Sequence, residues 1–259
     1  SETEHGFVAM WREAGRLGVV WLDGRNYAKE GHDPTNEMML LTTTIGADGV
    51  SSGETRLDTR TCDCCQNAAA MTSNGPIVAY RDRSANEIRD IYVTRRVNGR
   101  WLRGTAVFND NWRIDACPVN GPAIAAARTR AALAWFTAPD DKPRVNVAFS
   151  NDAGATFTRP VRVDAGNPAG RVDVALLRDG SALVTWVERI RGDTAKVLAR
   201  RVERSGRRSP VRTIAESSAA RASGFPRMTV SGEHVVFAWT TSTRPSNVRV
   251  ARAHVSTFR

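Results

Sequence analysis

The stretch Ser150-Asn151-Asp152-Ala153-Gly154-Ala155-Thr156-Phe157 decides how the rest of the chain is read. It follows one strand-like run, Arg144–Phe149, and precedes another, Thr158–Val163. Alternating apolar and polar residues are the period of a half-buried strand, so the stretch between the runs reads as a tight hairpin connection. Asp152 suits that turn because its carboxylate accepts from backbone N–H groups two residues on, and Gly154 takes positive φ at no steric cost. Ser150 and Phe157 are expected to fold a hydroxyl and a ring back against the hairpin.

Working outward, five short apolar runs each end in an aromatic residue: Leu17–Trp21, Ile77–Tyr80, Ala131–Trp135, Ala182–Trp186 and Val235–Trp239. These aromatics are 59, 55, 51 and 53 residues apart. A strand-like run precedes each (Phe7–Met10, Asn67–Thr72, Ala123–Ala127, Val172–Leu177, Met228–Val230) and a third follows (Met38–Thr44, Asp90–Arg95, Val145–Phe149, Lys196–Arg201, Asn247–Ala251). A fourth run follows in the first four copies, as Glu54–Leu57, Trp101–Val107, Phe157–Val163 and Ser209–Ile214. Four short strands joined by hairpins, repeated about every 50 residues, are the signature of propeller blades. Ala123–Trp135 is rich in Ala and Arg, and propensity alone makes it a helix. Its place in the repeat makes it two strands with a turn at Arg128-Thr129-Arg130.

The pattern Ser-x-Asp-x-Gly-x-x-aromatic, carried by Ser150, Asp152, Gly154 and Phe157, resembles the Asp-box of the bacterial neuraminidase repeat family, the sialidase-like β-propellers. The resemblance implies an all-β fold, a β-propeller of four-stranded antiparallel blades, with the Asp-box in a structural outer hairpin. It also implies a bacterial, periplasmic or secreted protein whose ligand sits at the funnel mouth. Residues 1–259 are expected to be one propeller domain, with repeats at about 5–60, 61–115, 116–166, 167–218 and 219–259. Members of that family have six blades, and the fifth copy here has no fourth strand. The expectation is therefore a propeller whose first blade lies upstream of Ser1, with a five-bladed variant as the alternative.

The catalytic part of the resemblance is weaker. Sialidases of this family use three arginines on the substrate carboxylate, a Tyr–Glu nucleophile pair, an Asp general acid and an Arg-Ile-Pro motif. The chain has no Arg-Ile-Pro; Phe225-Pro226-Arg227 has similar letters in another order. Of the three tyrosines, Tyr80 takes a blade-core position, and Tyr27 and Tyr92 have no obvious partner Glu. Asp63, Asp82 and Asp115 are the candidate acids, and nothing singles one out. Arg81, Arg89, Arg171 and Arg227 are candidates for an anion site, since guanidinium grips carboxylate in a bidentate fork; inter-blade salt bridges are the plainer reading of these charges.

In a propeller the first strands of the blades start near the central funnel. Counting back from the blade aromatic, Cys62 and Cys117 both fall 18 residues before it, and His5 and Cys64 both fall 16 before theirs. The four cysteines, Cys62, Cys64, Cys65 and Cys117, are thus expected to meet, with His5 one blade away. Disulfides are one reading of them in an exported protein. A soft-metal site is another, with thiolates selecting copper or zinc and His5 as a further ligand; free thiols with redox chemistry are the third.

The net charge of +10 is spread over 37 scattered basic residues, a diffuse basic surface that argues against a specific nucleic-acid partner and leaves an anionic glycan open. No apolar run approaches the ~20 residues of a membrane span. The function expected from the sequence is binding of a small ligand, either a soft metal through the cysteines or an anionic sugar through the arginines. An exo-α-sialidase-type hydrolase and a protein-interaction scaffold are the alternatives.

Overall fold

The computed structural model describes residues 3–26, 37–220, 223–241, 243 and 245–259. Tyr27 lies outside them. Among the described residues there is no α-helix, and the strands form five sheets. The first contains β1 (His5–Glu13), β2 (Arg16–Asp23), β3 (Met39–Ile45) and β4 (Ser51–Asp58). The second contains β5 (Ala68–Thr72), β6 (Gly75–Arg81) and β7 (Ile91–Val97), whose outer edge pairs with two short pieces, β8 (Arg100–Trp101) and β9 (Thr105–Ala106). The third contains β10 (Ala123–Ala127), β11 (Arg130–Thr137), β12 (Arg144–Ser150) and β13 (Val161–Arg162). The fourth contains β14 (Pro168–Leu176), β15 (Ala182–Arg191), β16 (Thr194–Val202) and β17 (Arg212–Ser218). The fifth has three strands, β18 (Arg227–Ser231), β19 (His234–Thr240) and β20 (Val248–His254).

Within each sheet the strands pair in chain order, and the registered pairings are antiparallel. This is the β-propeller fold, built of four-stranded antiparallel blades. The Ala- and Arg-rich segment forms β10 and β11, with Arg128 turning the chain at φ +56°. Blade pairing outweighs helix propensity there.

Two outer strands differ from the expectation. Trp101–Val107 is split into β8 and β9, with Gly104 between them lying so close to the Tyr80 hydroxyl that a Cβ would collide with it. Phe157–Val163 pairs only at Val161–Arg162. Pro160 has no N–H to give to the ladder, and Thr158 closes on Phe149 at the mouth of the hairpin, its N–H donating to Phe149 O at 2.8 Å.

The hairpin Ser150–Phe157 closes on side-chain oxygens. Ser150 Oγ accepts the Gly154 N–H at 2.8 Å and donates to Asp152 Oδ1 at 2.8 Å. Asp152 accepts from the Thr156 N–H at 2.9 Å and from its hydroxyl at 2.6 Å, so the carboxylate caps a donor four residues on rather than two. Ala153 and Gly154 both take positive φ, and a Cβ on Gly154 would meet Ile77.

The chain divides into two compact units. One holds the first two blades together with Ala126–Arg130 and Ser150–Phe157; the other holds most of the third blade and the fourth and fifth. The first packs Trp11, Val20, Leu22, Met38, Leu40, Val78 and Tyr80 into one core, and β1 lies against β5. The second packs Leu177, Leu183, Ala199, Val235, Phe237 and Phe258, and β14 lies against β18. Each such fully buried side chain contributes about 1.5–3 kcal/mol of transfer free energy. The blade aromatics Tyr80, Trp135 and Trp186 are fully buried, whereas Trp21 and Trp239 are half-buried. Where an acid stands two residues on, it accepts a hydrogen bond from the indole N–H: Trp21 Nε1 donates to Asp23 at 2.8 Å and Trp186 Nε1 to Glu188 at 2.6 Å.

Candidate functional site

The cysteines lie in the first unit, on the turn that leads into β5. Thr61 bridges to Asp82 beyond the end of β6, and the Cys62 N–H donates to Arg81 O at 3.0 Å. That anchoring folds Cys62-Asp63-Cys64-Cys65 into a tight turn. Cys62 Sγ lies 3.0 Å from Cys65 Sγ and 3.7 Å from Cys64 Sγ. Cys62 and Cys65 are buried and Cys64 is half-buried. All four cysteines are free thiols.

Cys117 arrives on a separate loop that is tied to the same turn. Gln66 Oε1 accepts the Gly121 N–H at 2.9 Å and its Nε2 donates to Gly121 O at 3.3 Å. Arg81 donates to Asn120 O from Nε at 2.9 Å and from Nη2 at 2.7 Å. Gly121 is required at that contact, because a Cβ there would run into the Gln66 carbonyl. The loop delivers Cys117 Sγ to 4.0 Å from Asp63 Oδ1. The ligand atoms of Cys62, Cys64 and Cys65 lie within 4.8 Å of one another, as do those of Asp63, Cys64 and Cys117. The structure thus brings the four cysteines together. His5 is not in either group; its Nδ1 is 3.3 Å from Asp23.

Two buried arginines face the sulfurs. Arg89 Nη1 donates to Cys62 Sγ at 3.4 Å and lies 3.9 Å from Asp63 Oδ1, while Nη2 bonds Glu87 at 2.9 Å. Arg81, stacked 5.0 Å from the Trp112 ring, adds positive potential at Cys62 and Cys65. The Cys64 and Cys65 thiols together hold Cys62 well below the usual thiol range; burial opposes them and Arg81 assists. Cys64 is pushed up by its contact with Cys62, and Cys65 is pushed up to about 12 by burial and then by Cys62. Burial works against the charge of Arg89, but the Cys62 thiolate and Glu87 outweigh it and keep the guanidinium firmly protonated.

Buried polar atoms without a hydrogen-bond partner occur in the same region. Both amide atoms of Asn67, two residues past Cys65, are of this kind, as is Arg89 Nε. No motif in the sequence marks Asn67 or Gln66 as site residues, since an amide carries none; their closeness in sequence to Cys65 is the signal available.

The other candidates are dispersed. Asp82 is pushed up to about 7 by burial and by the neighbouring Asp58 charge, and Asp58 accepts the Tyr80 hydroxyl at 2.6 Å. Tyr92 packs against Tyr80, with ring centroids 6.1 Å apart. Asp115 is exposed and lies outside the strands. Arg171 and Arg227 belong to the second unit. Arg171 donates to the carbonyls of Ser218, Ala219 and Ala220, and Arg227 is exposed, 4.0 Å from Asp173.

No protein-family model matches the chain, and no curated protein matches it in sequence. Among solved structures it is similar to a protein of unknown function from Dyadobacter fermentans, with a TM-score of 0.64 at 12% identity over 97% of this chain and 79% of that one. An α-L-arabinofuranosidase of Podospora anserina aligns with a TM-score of 0.49 at 10% identity, over 96% of this chain and 91% of that one. A β-fructofuranosidase of Bombyx mori aligns with a TM-score of 0.48 at 14% identity, over 91% and 53%. The likeness to the Dyadobacter protein is one of fold alone.

Proposed function

We propose that the protein binds a soft metal ion, Cu(I) in preference to Zn(II), through Cys62, Cys64 and Cys65. The observation that carries this reading is the convergence of three free sulfurs on one anchored turn beside two buried arginines. A cation about 2.3 Å from each of three thiolates sets the sulfurs about 4 Å apart in a trigonal plane. The Cys62–Cys64 separation of 3.7 Å is close to that, and the Cys62–Cys65 separation of 3.0 Å needs to open by about 1 Å. Thiolate-only donors select Cu(I) over harder cations.

Charge supports a bound cation. Three thiolates beside Asp63 and Glu87 make a negative centre that Arg81 and Arg89 offset only in part, and burying an unbalanced charge is costly.

The reading is tested with the reduced chain under anaerobic conditions, titrated with Cu(I) held by a chromogenic chelator. The chain is expected to withdraw at least one equivalent, and Cys62→Ser and Cys65→Ser are expected to abolish that tight binding. A folded, fully reduced chain that leaves all the copper on the chelator sinks the proposal. So does an intact mass showing the four cysteines locked in two disulfides in protein purified without reductant.

A further inference from the structure

The two groups of ligand atoms share one sulfur, Cys64, and differ in everything else. Cys62 and Cys65 are 1% and 2% exposed, whereas Asp63 is half-buried and Cys117 is exposed. We infer that Asp63, Cys64 and Cys117 form a second, solvent-facing cation position that shares the Cys64 thiolate with the buried one, making the cluster a two-cation centre. The inference rests on the metal-binding reading of Cys62, Cys64 and Cys65.

Three features support it. The first is that the outer position has a built wall. Cys117 is carried on a loop whose Asn120 and Gly121, three and four residues on, are held by two donors of Arg81 at the end of β6 and by both ends of the Gln66 amide, and Cys117 Sγ lies 4.0 Å from Asp63 Oδ1. The second is the donor chemistry. One carboxylate and two thiolates form a borderline set that takes Zn(II) as readily as Cu(I), and exposure leaves room for an exchanging ligand. The third is Arg89, which reaches Cys62 Sγ at 3.4 Å and Asp63 Oδ1 at 3.9 Å and so faces both positions.

The arrangement describes a route as well as a count. A cation arriving from solvent meets Asp63 and Cys117 first. It then gains Cys64 and passes inward by exchanging the outer donors for Cys62 and Cys65. Each ligand cysteine that is still protonated releases its proton to solvent as it binds, and no electron is transferred. A thiolate keeps lone pairs after binding one cation, so Cys64 can hold two at once.

The test counts copper and times its uptake. The reduced chain, Cys117→Ser and Cys65→Ser are titrated anaerobically with chelator-held Cu(I), and uptake is followed by stopped flow. Because Cys117 is exposed, its substitution is expected to leave the fold intact, which a thermal melt verifies. The unaltered chain is expected to take two equivalents, the second more weakly. Cys117→Ser is expected to take one, at the affinity of the tight site but with slower uptake, and Cys65→Ser to lose the tight equivalent. If the unaltered chain takes one equivalent, and Cys117→Ser changes neither its affinity nor its uptake rate, the outer position does not exist while the buried site stands. If Cys117→Ser weakens the only equivalent as severely as Cys65→Ser, the four ligands make one site and the two-cation inference fails. A reduced chain that binds no copper removes both readings.

Discussion

Two buried arginines at equivalent ends of their blades behave in opposite ways. Arg171, at the start of β14, sits at φ +54° within an irregular register and turns its guanidinium onto the carbonyls of Ser218, Ala219 and Ala220 and the Ser223 hydroxyl. Burial, and then Arg189, push its proton affinity down. Arg89, on the approach to β7, is about as deeply buried, yet its proton affinity goes up because Cys62 and Glu87 lie against it. A carbonyl dipole satisfies donors, whereas an anion also compensates charge. Arg171 ties the chain to itself, and Arg89 is matched to a negative centre.

The sharpest way to break this comparison is to remove each guanidinium in turn. Arg89→Met is expected to weaken Cu(I) binding about 10–100-fold, the usual cost of losing an outer-shell partner of a metal site. Arg171→Met is expected to leave copper affinity unchanged and to lower stability by about 1–3 kcal/mol, through carbonyls left without donors. Chelator competition and denaturant melts on both variants give the two readouts. Equal loss of copper affinity in the two variants would mean that Arg89 acts only through the fold.

Much of the blade pattern was legible in the sequence because it is local. Alternation, a terminal aromatic and a turn recur in every copy, and even Ala123–Trp135 obeys the repeat against its helix propensity. The meeting of the cysteines was legible for the same reason, since equal counts from a blade aromatic put residues at equal heights. That count does not settle what a side chain then reaches. His5 shares the count of Cys64 and turns to Asp23, because a buried carboxylate stands opposite it in the register of β1 on β2. Nor does it reveal the tie between Gln66 and Gly121 or the raised proton affinity of Asp82, which arise only where distant loops dock.

Asp82 sharpens the comparison from the carboxylate side. Its folded value of about 7 lies above the ordinary aspartate value of 3.8, so between those limits the native state binds more protons than the unfolded one. Stability therefore falls as pH rises through that window and levels off above it. The drop attributable to Asp82 is expected to be on the order of 2 kcal/mol. Asp82→Asn, which keeps the neutral shape, should remove that part of the slope. Denaturant midpoints for both proteins across the window check it, and parallel curves would show that Asp82 is not held protonated.

The smallest effect is expected at the hairpin from which the fold was read. Asp152 is pulled down to about 2 against the opposing effect of burial, by the Thr156 hydroxyl and N–H and by Ser150. The sign is the reverse of that at Asp82: its contribution is present above the unfolded value and lost as pH falls toward 2. The carboxylate is exposed, and solvent screening leaves about 0.5–1 kcal/mol for Asp152→Ala at neutral pH. The variant should keep full copper affinity, because nothing in the hairpin touches the sulfurs; its link to the rest of the first unit runs through Ala153 N–H to Thr129 O at 2.7 Å and through Gly154 against Ile77. A thermal melt with a parallel copper titration would separate the two properties. If affinity fell along with stability, the hairpin would be supporting the turn that holds the thiols, and the division between a structural hairpin and a chemical cysteine turn would have to be abandoned.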